Sequence, residues 1–191
     1  RKYAWHNYDD ATMEKVYALS DTYRQFLDNG KTERECVVQA VEFAEAKGYV
    51  NLNDVIKSNT PIKAGDKIYY IHMDKSIALF NIGADDIELG MNILGAHIDS
   101  PRIDVKQNPQ YEDSNLVFWD THYYGGIKKY HWVAMPLAIH GVVVKTDGTR
   151  ININIGDKET DPVFCITDLL PHLGQEQMQK NAAKVIEGEA L

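Results

Sequence analysis

The sequence predicts an α/β fold: the N-terminal part of an α/β domain followed by a β-rich insertion, with neither sheet closed. Three observations predict it. Apolar residues recur at spacings of three and four through residues 1–50, a shorter period takes over from Lys67, and a second β-rich run with an Asp-Gly turn lies beyond Val133. The expected boundary places residues 1–105 in the first part and 106–191 in the second.

In the first helix Met13, Val16, Tyr17, Ser20, Tyr23 and Leu27 share one face, and Gly30 stands where a C-terminal cap belongs. The second helix opens on Thr32-Glu33-Arg34-Glu35, a capping box in which hydroxyl and carboxylate satisfy orphan amides. Its stripe is Cys36, Val37, Ala40, Val41 and Ala44, and Lys47-Gly48 ends it. Ile68 to His72 and Ser76 to Ile82 flank Met73-Asp74-Lys75 as a hairpin. Met91 to Ala96 has the composition of a buried strand. Gln107 to Asn115 reads as a polar loop or linker. Val133 to Lys145 and Arg150 to Ile155 form a hairpin about Asp147-Gly148, both positions expected at positive φ. Ile151, Ile153 and Ile155 alternate with Asn152 and Asn154. Thr167-Asp168 is expected to cap a short helix, and Met178, Ala182, Val185 and Ile186 to form a last helical stripe. The ending Glu187-Gly188-Glu189-Ala190-Leu191, with both sheets unfinished, suggests a fragment.

The 191 residues carry a net charge of −8, spread along the chain, which argues against a nucleic-acid partner. No run reaches the length of a membrane helix, and no apolar segment follows the basic start as in a secretory signal. Cys36 and Cys165 sit in apolar patterns and read as buried free thiols, in keeping with a cytoplasmic location.

Seven histidines invite a search for metal ligands. With 17 aspartates in the chain, chance alone produces about 0.6 His-x-Asp triplets, and the sequence holds two. His72-Met73-Asp74 is explained by a solvent-facing strand histidine before a turn. His97-Ile98-Asp99 follows Ile93-Leu94-Gly95-Ala96, at the strand edge where α/β sheets present catalytic groups. In extended geometry Asp99 points to the same side as His97. A metal-bound imidazole usually gives its second N–H to a carboxylate, a role that suits Asp99. Spacing alone leaves equally open a satisfied core histidine beside a capping aspartate. His122, His131 and His140 read as structural.

Gly95-Ala96-His97-Ile98-Asp99-Ser100-Pro101-Arg102 resembles the His-x-Asp-Ser-Pro motif of the aspartyl-aminopeptidase family, zinc peptidases of the aminopeptidase I type. Thr121-His122-Tyr123-Tyr124-Gly125-Gly126-Ile127 is similar to the family's Tyr-Gly-Gly-Gly-Ile stretch, one glycine shorter, and Leu170-Pro171-His172-Leu173 to its Pro-His-Leu. Lys128-Lys129-Tyr130-His131-Trp132 stands in place of a Trp-rich stretch of the animal members, which points to a bacterial-type branch.

The resemblance implies a zinc aminopeptidase with two zinc ions per active site, acting on peptides with N-terminal Asp or Glu. It implies that His97 is a metal ligand and that Asp99 orients it. It further implies that the segment from about Lys106 is a dimerisation domain, and that His172 reaches a neighbouring subunit's site to donate to the substrate carbonyl or its oxyanion. The family is homo-oligomeric, built from dimers up to a dodecamer. The other ligands and the general base are expected beyond Leu191, so the fragment alone is expected to be inactive. Arg102, Lys128 and Lys129 are the cations near these motifs. Two other readings stand beside this one: another dinuclear zinc hydrolase, a carboxypeptidase or deacylase, or a non-catalytic assembly module built on the apolar strands of the second segment.

Overall fold

In a computed structural model, residues 2–191 are described. The chain divides into two compact units between Asp99 and Ser100. The division falls before the expected 105/106 boundary, because residues 102–105 are already committed to strand pairing in the second unit.

The first unit begins with a short 3-10 turn, Ala4–Asn7, and helix α1, Asp10–Asn29. The Asp9 carboxylate accepts from the Thr12 N–H at 2.8 Å and supplies the N-cap. Gly30 follows α1 as expected, but at φ −114° it makes no left-handed cap. It is there for space: a Cβ would lie 2.8 Å from Gln39 Nε2, 2.9 Å from Cys36 Sγ and 3.0 Å from the Phe26 carbonyl. Helix α2, Glu33–Glu45, carries the full capping box between Thr32 and Glu35 and buries Cys36, Val37 and Ala44.

Strand β1 (Val50–Asn51), helix α3 (Leu52–Ser58), β2 (Lys67–His72) and β3 (Ser76–Asn81) complete the regular elements of this unit. The sheet order is β1-β2-β3, with β1 parallel and β3 antiparallel to β2. Strand β1 and α3 are absent from the sequence expectation, although Asn51 caps α3 at its start and Asn59, at φ 50°, ends it. Ile68 and Tyr69 are neighbours on opposite faces of β2 and both are buried, as befits a central strand contacted by α2 and α3. The Tyr69 hydroxyl donates to Glu45 at 2.7 Å. Met73 and Asp74 take positive φ, and the Lys75 N–H closes the hairpin turn onto the His72 carbonyl at 3.0 Å.

In the second unit β4 (Arg102–Asp113) and β5 (Leu116–Tyr124) form an antiparallel pair. The supposed loop 107–115 is therefore mostly strand. Its Lys-Gln-Asn-Pro stretch forms an irregularity between Val105 and Gln110, where Pro109 has no N–H to contribute. Ser114 and Asn115, at φ 54° and 63°, make the two-residue turn. Strands β6 (Ile139–Val144) and β7 (Arg150–Ile155) form a second hairpin. Of its turn residues Gly148 alone has positive φ, 84°, and its N–H donates to the Lys145 carbonyl. Asp147 instead accepts from the Thr149 N–H at 2.8 Å.

Two expectations near the chain end are corrected. Thr167-Asp168 caps no helix; the short helix α4, Gln175–Met178, starts at Gly174 without a side-chain cap, and Asp168 accepts from its Gln177. The stripe Met178 to Ile186 does not continue as a helix, since turns replace it after Met178, and Ile186 is its buried member. Cys36 is buried as expected, whereas Cys165 is exposed; both are free thiols.

Candidate metal-ligand site

The segment from Met91 to Ala96 is neither a strand nor buried. No regular pairing includes it among the described residues, and Ile93 and Leu94 are 80% and 100% exposed. A strand exists only through a neighbour's hydrogen bonds, and none is offered here. Residue by residue the surface closes toward the motif: Ile98 and Asp99 are half-buried, while His97 remains exposed.

His97 Nδ1 lies 3.2 Å from Asp99 Oδ1 and 3.1 Å from the Asp99 carbonyl oxygen. Both neighbours are acceptors, so Nδ1 is the nitrogen that carries the proton. In the neutral form with that tautomer the lone pair is on Nε2, the donor a metal takes. Its side chain is 86% exposed, leaving that edge approachable. The structure thus brings together the two residues that spacing paired. His72, the other His-x-Asp histidine, is exposed at the end of β2 opposite Ser76, and Asp74 is spent on the turn.

In the second unit the strand register joins two of the family-like motifs. Arg102 lies opposite Tyr124, Ile103 opposite Tyr123 and Asp104 opposite His122. The Arg102 guanidinium donates to Asp104 Oδ1 at 2.7 Å and stacks 4.2 Å from the Tyr124 ring centre. Gly125, at φ 78°, turns the chain beside Pro101, whose ring would touch a Cβ at 3.5 Å. Positive φ, more than space, is what asks for glycine there. Arg102 is therefore a structural cation of this corner. Lys129 lies over the Tyr123 ring at 5.2 Å, and Lys128 is exposed.

His172 is exposed on the turn that follows Leu170, whose carbonyl accepts from the Leu173 and Gly174 N–H groups. It belongs to the second unit, His97 to the first. His140, read as structural, makes the other notable histidine–carboxylate contact: Nε2 is 3.1 Å from Asp157 Oδ1, with the His140 side chain only 9% exposed. Its partner is distant in sequence, so no spacing signalled the pair.

Among the described residues no three His, Cys, Asp or Glu side chains gather as a metal site. Catalytic zinc takes about three protein ligands and leaves one position open. His97 with Asp99 fits one ligand and its orienting carboxylate, and the described chain does not complete the set.

Residues 26–191 match the family model described as aminopeptidase I zinc metalloprotease, M18. The chain belongs to this family. It is 52% identical over 190 residues to the probable M18 family aminopeptidase 1 of Clostridium acetobutylicum, covering 100% of this chain and 41% of that protein. The crystal structure of an M18 aminopeptidase from Thermotoga maritima superposes with a TM-score of 0.88 at 43% identity, over 100% of this chain and 40% of that one. The S. cerevisiae mApe1 dodecamer shares the fold at a TM-score of 0.64 and 20% identity, over 79% of this chain and 36% of that one. This M18 chain thus spans about 40% of the length of the relatives it matches. Its α/β class, with an N-terminal part of the M18 fold, agrees with those structures.

Proposed function

We propose that this M18 chain contributes to a zinc-dependent aminopeptidase that releases N-terminal residues, acidic ones by preference, from peptides. The observation that carries the reading is the His97–Asp99 pair, in which carboxylate and carbonyl hold the proton on Nδ1 and leave Nε2 as a ligand. Bound zinc supplies an acidified water and a Lewis acid for the peptide carbonyl. His97 holds one metal ion of an expected pair, and Asp99 fixes its tautomer. The remaining ligands and the general base come from sequence outside this chain, so the chain by itself is inactive.

In the same reading residues 106–191 serve dimerisation within a homo-oligomer, up to a dodecamer. His172, exposed on its turn, donates from there to the carbonyl oxygen at a neighbouring subunit's site. The free thiols of Cys36 and Cys165 suit a cytoplasmic setting. No helix among the described residues is long and apolar enough to cross a membrane. An acidic preference calls for a cation at the substrate's first side chain; Arg102, already paired with Asp104, is poorly placed to be it.

The test is made in the full-length protein. His97→Ala is expected to abolish aminopeptidase activity and lower the zinc content measured by elemental analysis; unchanged zinc would remove His97 from the ligand set. On the unmodified protein, peptides beginning with Asp, Glu or a neutral residue report the preference. Cleavage confined to C-termini or N-acyl groups would point to a carboxypeptidase or deacylase instead. Light scattering that gives a monomer would remove the oligomer.

A further inference from the structure

We infer that the elbow between α1 and α2 is the platform that positions His97 and Asp99, with Cys36 as its positioning residue. The inference rests on the metal-ligand reading of His97.

The stretch from Gly90 to Asp99 has no regular structure of its own, yet a metal ligand must be held to within fractions of an ångström. Burial begins at Ile98, the residue between the two that matter. There Cys36, 5% exposed, places its sulfur 3.6 Å from the Gly30 carbonyl oxygen and 4.0 Å from that of Ile98. The Ile98 carbonyl defines the peptide plane that leads directly into Asp99. The sulfur packed against it, whose single proton has the nearer Gly30 carbonyl within reach as well, therefore helps set where the Asp99 carboxylate meets His97 Nδ1. Burial raises the Cys36 thiol pKa, with Glu35 and then Glu33 adding to the effect, so the sulfur keeps its proton and acts as donor.

The elbow itself is held on several sides. Glu35 accepts from the Lys31 and Thr32 N–H groups at 2.9 Å each, and Thr32 Oγ1 accepts from the Glu35 N–H. Gln39 donates to the Phe26 carbonyl at 3.0 Å and ties α2 back to α1. Gly30 leaves the space in which the thiol sits, since a Cβ would come within 2.9 Å of Sγ. The capping box, the glycine and the cysteine thus form one assembly whose exposed product is the position of Ile98.

The test uses the full-length protein with zinc alone as the probe, its dissociation constant measured by chelator competition. Cys36→Val removes the donor at the cost of one extra heavy atom, and is expected to weaken zinc binding roughly ten-fold, the effect of losing an outer-shell partner. Gly30→Ala, which pushes on Sγ, is expected to weaken it in the same direction. Wild-type affinity in both Cys36→Val and Gly30→Ala overturns the inference. If those variants fail to fold, alkylation of the unmodified protein followed by peptide mapping decides. Zinc bound at His97 is expected to hold Ile98 over the buried thiol, slowing modification of Cys36 and leaving that of the exposed Cys165 unchanged; equal rates with and without zinc overturn the inference. His97→Ala separates the two failures. If it keeps zinc, the ligand reading has failed; if it loses zinc while the elbow variants do not, the elbow alone has.

Discussion

The proton on His97 Nδ1 is the smallest feature on which the proposed zinc chemistry turns. Held between the carboxylate and carbonyl oxygens of Asp99, it commits the ring to one tautomer and frees Nε2. Asp99→Asn keeps an oxygen acceptor but removes the carboxylate charge that a metal-bound imidazole usually has as its partner. The expected outcome in the full-length protein is zinc bound about ten-fold more weakly with the thermal midpoint little changed, read by chelator competition alongside a melting curve. Equal zinc affinity would reduce Asp99 to a turn residue. Both members of the pair were legible from the triplet at 97–99, because two residues apart in extended chain is a geometric statement. The pair's exposure was not legible: Ile93-Leu94 looks like a buried strand by composition, and composition says nothing about whether a partner strand is at hand. His140 with Asp157 shows the opposite case, a contact created by tertiary pairing that no spacing announces.

Elements were legible where a local signal was strong and lost where it was short or polar. The capping box at Thr32 declares α2 because its hydrogen bonds span only three residues, and the hairpin after Lys67 declares itself by β-branched and aromatic content. Strand β4 was hidden by Lys106-Gln107-Asn108-Pro109, whose polar, proline-bearing sequence is that of a loop although it sits within a strand pair. Helix α3, at seven residues, was too short for periodicity to show. The N-cap of α1 yields a prediction at this scale. Thr12, through both its side chain and its N–H, holds the Asp9 carboxyl below the usual carboxylate value. A depressed folded pKa means that the cap's contribution is complete above the unfolded pKa of about 3.9 and is lost as pH falls through the folded one. Asp9→Asn caps without titrating. Its melting midpoint relative to wild type is therefore expected to rise between about pH 6 and about pH 3; parallel curves would show that Asp9 does not couple the helix to pH.

At the scale of the whole molecule, the described residues bury few side chains and expose many large apolar ones, among them Leu89, Leu94 and Leu173 at 82%, 100% and 73%. Each such leucine, if covered, is worth about 2 kcal/mol of burial. Covering of that kind is the natural correlate of a chain spanning about 40% of the length of its relatives. The same proportion bears on the proposed metal site. One imidazole and its carboxylate are present, no third donor joins them among the described residues, and a lone histidine cannot meet zinc's need for about three ligands. The 191-residue chain is therefore expected to retain well under one zinc per chain after desalting, while the full-length protein retains its complement. Elemental analysis of the two side by side makes the comparison. Stoichiometric zinc on the short chain, lost again in His97→Ala, would mean that the ligand set is completed within residues 1–191 and would overturn that division of the site.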